Sequence, residues 1–149
     1  MKRPIAPFLF AIFISVLFAP ACKKDEASLE ERLVAASCWG VTKAEEFDPI
    51  TNKWEDVTLK EYGECDLDDC YTFYSDHNLI VSHENIKCDP NEPNTESAVW
   101  SISSDGKIFK LTKSNGDAAS FTIIELSSSV FVIEVTFGGG VKDRTTLMN

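Results

Sequence analysis

The chain has 149 residues, with 14 Lys and Arg against 24 Asp and Glu, a formal charge of −10. So acidic a surface excludes nucleic acid as the partner, because phosphates need Lys and Arg, and it excludes charge-driven adhesion to anionic lipid. At this length the chain holds one domain.

The first residues read as an export signal. Lys2 and Arg3 precede an apolar run from Phe8 to Phe18 in which only Ser15 is polar. That run is shorter than the roughly 20 residues of a transmembrane helix. It suits the apolar region of a signal peptide, with Ala19-Pro20-Ala21 as a small-residue cleavage site, so residues 1–21 are set aside from the fold. Small residues ahead of Cys22 make the segment similar to a bacterial lipoprotein signal, in which that cysteine carries the lipid. Ordinary signal peptidase would instead leave Cys22 as a free N-terminal thiol. The cysteine count favours lipidation. Of Cys22, Cys38, Cys65, Cys70 and Cys88, one is odd in an exported protein, and lipidating Cys22 leaves an even set. Lys23-Lys24-Asp25-Glu26 resembles the charged segment behind the anchor of surface-exported lipoproteins in some Gram-negative envelopes. The expected location is therefore the outer membrane of a Gram-negative envelope, with surface exposure as one outcome. An N-terminal lipid anchor is the expected membrane partner.

Residues 22–28 then form a lipid-anchored tether, and 29–149 the folded domain. Residues 29–36 are a short helical candidate, with Ser28 as N-cap, glutamates in the first turn and Leu29 and Leu33 on one face. Beyond it the apolar period changes to two. Strand candidates are 37–43, 69–74, 78–83, 97–103, 107–112, 119–125, 130–136 and a weaker 141–147. Asp105-Gly106, Asn115-Gly116 and Gly138-Gly139-Gly140 are turn signals between them. The acidic stretches 45–63 and 88–96 read as loops, the second marked by Pro90 and Pro93. Eight short strands joined mainly by hairpins predict an all-β antiparallel barrel or sandwich, and closure, which removes exposed edges, favours the barrel.

Three stretches carry a family resemblance: Ser37-Cys38-Trp39; Cys65-Asp-Leu-Asp-Asp69 leading to Tyr71-Thr-Phe73; and Cys88-Asp-Pro90 followed by Ala98-Val-Trp100-Ser-Ile102, Asp105-Gly106 and Phe109-Lys-Leu111. Together they resemble the bacterial lipocalin-like domain of envelope lipoproteins, over roughly residues 33–136. The resemblance implies a small eight-stranded up-and-down barrel and no catalytic residues. It also implies a Cys65–Cys88 disulfide, since the family has cysteines at both matching positions. That leaves Cys38 with Cys70. If Trp39, Val41, Tyr71 and Phe73 point inward, both of these thiols point outward, and they can meet if the first strands are neighbours.

Other chemistries are weaker. Cys65, Cys70 and Cys88 with His77 or His83 can be drawn as a zinc site, but thiolates in an oxidising envelope favour disulfides. Asp66, Asp68, Asp69 and Asp76 suggest calcium, yet an EF-hand counted from Asp66 would need Gly at Tyr71 and Glu at His77. Ser75-Asp76-His77 has the residue types of a hydrolase triad, but triads are assembled from separate elements, and the stretch reads as a hairpin turn. The three glycines lack the Lys and following helix of a phosphate loop. No cofactor, metal site or enzyme is expected. A pair of pocket carboxylates with raised pKa values would revive the enzyme reading.

The inward positions are Trp39, Val41, Tyr71, Phe73, Trp100, Ile102, Phe109, Leu111, Phe121, Ile123, Phe131, Ile133 and Val135. Trp39, Tyr71, Phe73, Trp100, Phe109, Phe121 and Phe131 are the candidate lining for a small apolar ligand. A barrel of this size is either filled or holds one small ligand, and the aromatic bulk favours a mostly filled core with a shallow pocket. Ile124, Val130 and Val132 would form an apolar outer stripe, covered by the N-terminal helix or by a partner. The expected function is non-catalytic binding of a small apolar ligand. The alternative is a filled barrel acting as an interaction lipoprotein for another envelope protein.

Overall fold

The computed structural model describes residues 27–149. The expected signal peptide, Cys22 and most of the expected tether lie outside the described residues. The chain enters through α1 (Leu29–Val34), whose capping box is complete: Glu31 N donates to Ser28 Oγ at 3.1 Å and Ser28 N donates to Glu31 Oε2 at 2.7 Å. A helix this short is marginal alone. It is held by fully buried Leu33 and by Leu29 packing on the same core.

The strands follow as β1 (Gly40–Asp48), β2 (Lys53–Asp56), β3 (Cys70–Phe73), β4 (Asn78–Ser82), β5 (Thr95–Ile102), β6 (Ile108–Lys113), β7 (Ala118–Leu126), β8 (Val130–Thr136) and β9 (Lys142–Met148). Short helices α2 (Thr58–Glu61) and α3 (Glu64–Leu67) lie between β2 and β3, and a 3-10 turn, Gly138–Gly140, joins β8 to β9. All pairings are antiparallel, in the order β2-β1-β9-β8-β7-β6-β5-β4-β3. Among the described residues no helix is long and apolar enough to cross a membrane.

Two expectations about the sheet are corrected. The sheet has nine strands, not eight, because β2 lies inside the stretch read as a loop. Its sequence, Lys-Trp-Glu-Asp, has one apolar residue and no alternation to show. It forms because Trp54 pairs directly with Phe47 across β1, with ring centroids 5.2 Å apart, and Arg144 of β9 stacks over the Trp54 indole at 4.1 Å. The second correction is to the closed barrel. The sheet curls but is not closed by a ladder, and β2 and β3 are its edges. From Glu45 onward the free edge of β1 is occupied by β2, so four-residue β3 reaches β1 only ahead of its first residue. There Trp39 and Tyr71 exchange two backbone hydrogen bonds of 2.9 Å. The Cys38–Cys70 disulfide, with Cα atoms 5.3 Å apart, sits beside that bridge.

The concave side is filled at one end. Trp39, Val41, Phe73, Leu79, Trp100, Phe109, Leu126, Phe131 and Leu147 are buried there with Leu33. Their rings meet edge to face, Phe109 to Phe131 at 5.3 Å and Phe73 to Trp100 at 5.7 Å, the geometry aromatic quadrupoles favour. The helix lies over this plug. Trp39 Nε1 donates to Leu33 O at 2.9 Å, and Arg32 Nη1 donates to Leu126 O at 3.3 Å. In the β5–β6 turn Gly106 has φ +71°, and a Cβ there would come within 2.8 Å of Leu29 Cδ1, so left-handed backbone and helix contact both call for glycine.

The helix therefore covers the end of the sheet and not the outer stripe expected for it. Ile124 sits at the β7 irregularity and is 47% exposed. Val132 is buried with Glu125 and Thr146 directly opposite it on the neighbouring strands. Farther along, the outer face is ionic. Buried Glu134 meets Arg144 at 2.8 Å and Lys142 at 3.1 Å. Burial pushes its carboxyl pKa up, but the two cations together hold it below the ordinary value.

Candidate functional site

Hairpin alternation determines which end of the sheet is open. The turns at Gly106 and at residues 127–129 lie at the α1 end, so the turn after Lys113 lies at the other. There the concave side forms a recess of about 780 Å³. Its floor follows from strand register. Tyr71 pairs with Val81, and Ala98 and Leu111 pair with the plug residues Leu79 and Trp100, so Tyr71, Val81, Ala98 and Leu111 border the aromatic plug on its open side. The next tier is charged: Glu96 opposite Val81 and Lys113 opposite Ala98. Asp66, Asp69, His83 and Glu92 also line it.

Asp69 is buried, and His83 Nδ1 donates to its carboxylate at 3.0 and 3.1 Å. The His83 side chain is 11% exposed, and its Nε2 is buried with no hydrogen-bond partner among the described residues. Burial pushes the Asp69 pKa up, against the opposing pull of His83. The hydrogen bond His83 donates to Asp69 raises the His83 pKa. Burial also pushes the Tyr71 phenol far up. Because His83 holds its proton more tightly when folded, its contribution to stability is complete below the unfolded imidazole pKa, about 6.5. It is lost as pH rises through the higher folded value. The raised Asp69 pKa acts in the same direction at lower pH. Urea midpoints are expected to fall as pH rises past neutrality, and His83→Gln is expected to flatten that slope while exposed His77 remains in both proteins.

A smaller recess of about 230 Å³ lies at the same end, among Ala44, Val57, Tyr62, Thr145, Glu45, Glu61, Asp143 and Arg144. Burial raises the Asp143 carboxyl pKa, and the Glu46 and Glu61 carboxylates add to it. Asp69 and Asp143 are thus two raised carboxyls, but they line different recesses and Asp69 is engaged by His83. They do not form the facing pair that acid–base chemistry uses.

Of the seven aromatic residues expected to line a ligand site, the larger recess takes only Tyr71. Trp39, Phe73, Trp100, Phe109 and Phe131 are buried in the plug, and Phe121 packs half-buried against it. Bulk explains the difference: large rings exclude a ligand where they meet, and space opens where Leu79, Val81, Ala98 and Leu111 take the inward positions. The alternation Leu79, Val81, His83 carried that signal in the sequence.

The cysteines join as Cys38–Cys70 and Cys65–Cys88, the latter tying α3 to the loop after β4. The sulfurs a zinc site would use are therefore taken up. The four aspartates of the calcium reading are dispersed by separate tasks. Asp66 accepts from Gly63 N, Asp68 from Asn85 and Ile86 N, Asp69 from His83, and Asp76 from Asn78. Ser75, Asp76 and His77 form the β3–β4 turn, with His77 at φ 66° and its ring 5.0 Å from Trp100.

A curled antiparallel sheet, plugged at one end and open at the other, is a cup-shaped β domain. The chain belongs to the family of lipocalin-like domains, whose family model matches residues 39–133. No curated protein matches the chain.

Proposed function

We propose that this protein is a non-catalytic binding module for a small apolar ligand, held at the outer membrane of a Gram-negative envelope by a lipid on Cys22. The observation that carries the binding reading is the open recess of about 780 Å³ with its apolar floor, within the size range of small-molecule sites. Family membership supports it. Fold alone does not supply a function; the recess is what supports this one. The anchor reading draws on the disulfides: Cys38, Cys65, Cys70 and Cys88 are paired, which leaves Cys22 as the remaining cysteine.

Native mass spectrometry of the protein drawn from its envelope in mild detergent tests both parts. The expected spectrum has added lipid mass on Cys22 and a non-covalent adduct released by gentle activation. Ala98→Trp, which puts an indole into the recess, is expected to remove the adduct and keep the lipid. An anchored protein with no adduct would favour the interaction lipoprotein. An unlipidated Cys22 would overturn the anchor.

A further inference from the structure

We propose that the Cys65–Cys88 disulfide is a redox latch on the larger recess: an external dithiol opens it by thiol–disulfide exchange, and residues 84–94 then swing away from the recess wall while the rest of the fold stands. The latch stands on the geometry of this loop; its effect on a ligand rests on the reading of the recess as the binding site.

The bond joins two walls of one cavity. Cys65 lies in α3 next to Asp66, and Cys88 lies in the loop between β4 and β5 that carries Glu92 and Pro93. Asp66, Glu92 and Pro93 all line the recess. The loop has little else to hold it. Residues 84–94 form no helix or strand, and none of them is buried. They add nothing to the core, and Ile86 is 49% exposed. Lys87 Nζ donates to Glu92 O at 2.8 Å, a bond within the loop itself. Besides the disulfide, Asn85 N and Ile86 N tie the loop to α3 by donating to Asp68 Oδ2 at 2.9 and 3.0 Å. Both bonds end on one carboxylate oxygen at the C-cap of α3. A segment so lightly packed opens locally at low cost once its cross-link is cut.

The two disulfides differ in access. Exchange needs the attacking sulfur to reach one sulfur of the bond. Cys88 is exposed. Cys38 and Cys70 are both half-buried, at the seam where Trp39 bridges to Tyr71 and Thr72 Oγ1 donates to Ser37 O at 3.0 Å. A thiolate of the dithiol attacks Cys88 Sγ, and Cys65 leaves as a thiolate and takes up a proton. The second thiol of the reductant then displaces Cys88 from the mixed disulfide. The dithiol ends as its own disulfide, and its two protons are carried by Cys65 and Cys88.

The test treats the folded full chain with dithiothreitol, then alkylates and maps the peptides. Cys65 and Cys88 are expected to be labelled about tenfold or more faster than Cys38 and Cys70. With the bond open, the Asn85 and Ile86 amides should exchange with solvent about tenfold or more faster, and the Phe131 amide should not change. The double variant Cys65→Ser, Cys88→Ser should show the same fast exchange at Asn85 and Ile86 without dithiol. N-phenyl-1-naphthylamine, an uncharged fluorescent probe, should leave the open form about fivefold or more faster than the closed one. Equal labelling of all four cysteines, or open cysteines with unchanged exchange at Asn85 and Ile86, would overturn the latch. Lost protection at Phe131 in the double variant would overturn it too, because the bond would then hold the whole fold. Equal release of the probe from both forms would overturn its control of the recess. A probe that binds neither form would overturn the reading of the recess, with labelling and exchange still deciding the latch.

Discussion

Trp39→Ala is expected to cost about 3–5 kcal/mol of folding stability. Domains of this kind have about 5–15 kcal/mol in total, so the variant would be largely unfolded under mild heating. Three losses combine. The indole is fully buried and meets Phe131 edge to face at 6.2 Å. Its N–H is the donor to Leu33 O, so truncation strands a buried carbonyl at the end of α1. Its backbone also forms the bridge to Tyr71, which a shifted chain would strain. Urea denaturation checks this against Trp54→Ala, whose indole lies half-buried at the sheet edge. If the two variants lost equal stability, the plug would not be the centre of the fold. Trp39→Phe should fall between wild type and alanine, because it keeps a ring but gives up the hydrogen bond.

The second large effect is at the seam. Removing the Cys38–Cys70 disulfide by the double change Cys38→Ala and Cys70→Ala is expected to cost about 2–4 kcal/mol. The link spans 32 residues of chain and stands beside the Trp39–Tyr71 bridge that joins the start of β1 to β3. With the link gone, the seam keeps its two backbone hydrogen bonds and the one that Thr72 Oγ1 donates to Ser37 O at 3.0 Å, and the edge parts more easily. Hydrogen exchange at the Trp39 and Tyr71 amides should speed up by more than at Phe131 in the middle of the sheet. A variant whose exchange rose equally at all three positions would show that the disulfide acts on the unfolded chain only and does not hold the seam.

Much of this architecture was legible because alternation is a direct consequence of the strand's period of two. Phe131, Ile133 and Val135 or Phe109 and Leu111 declare a half-buried strand without help from the rest of the chain. β2 was not legible for the converse reason. Its stability comes from Phe47, across the hairpin, and from Arg144, which is remote in sequence and meets Trp54 only once the sheet has formed. The disulfide partner of Cys38 illustrates a correct expectation reached through a different geometry. Cys38 and Cys70 meet at the seam of a curled sheet, whereas the sequence suggested two strands paired along their length. The site was harder still. Large aromatic residues attract attention as candidate ligand contacts, yet in a narrow sheet they fill the space they face. The recess is marked by smaller residues, and by the pairing of Asp69 with His83 across 14 positions of sequence.

The position of β1 between β2 and β9 sets the pace at which the molecule can assemble. Val41 faces Leu147, and Gly40 faces Met148, so the first long strand has no partner on that side until the last one arrives. The hairpins from β4 to β8 can form locally as the chain lengthens, whereas this pairing must wait for a loop of about a hundred residues to close. Pairings of such sequence separation place folding in the range of milliseconds to seconds. Until β9 arrives, Trp39 and Val41 stand against an incomplete wall, and the locking of the cup is the last step of folding.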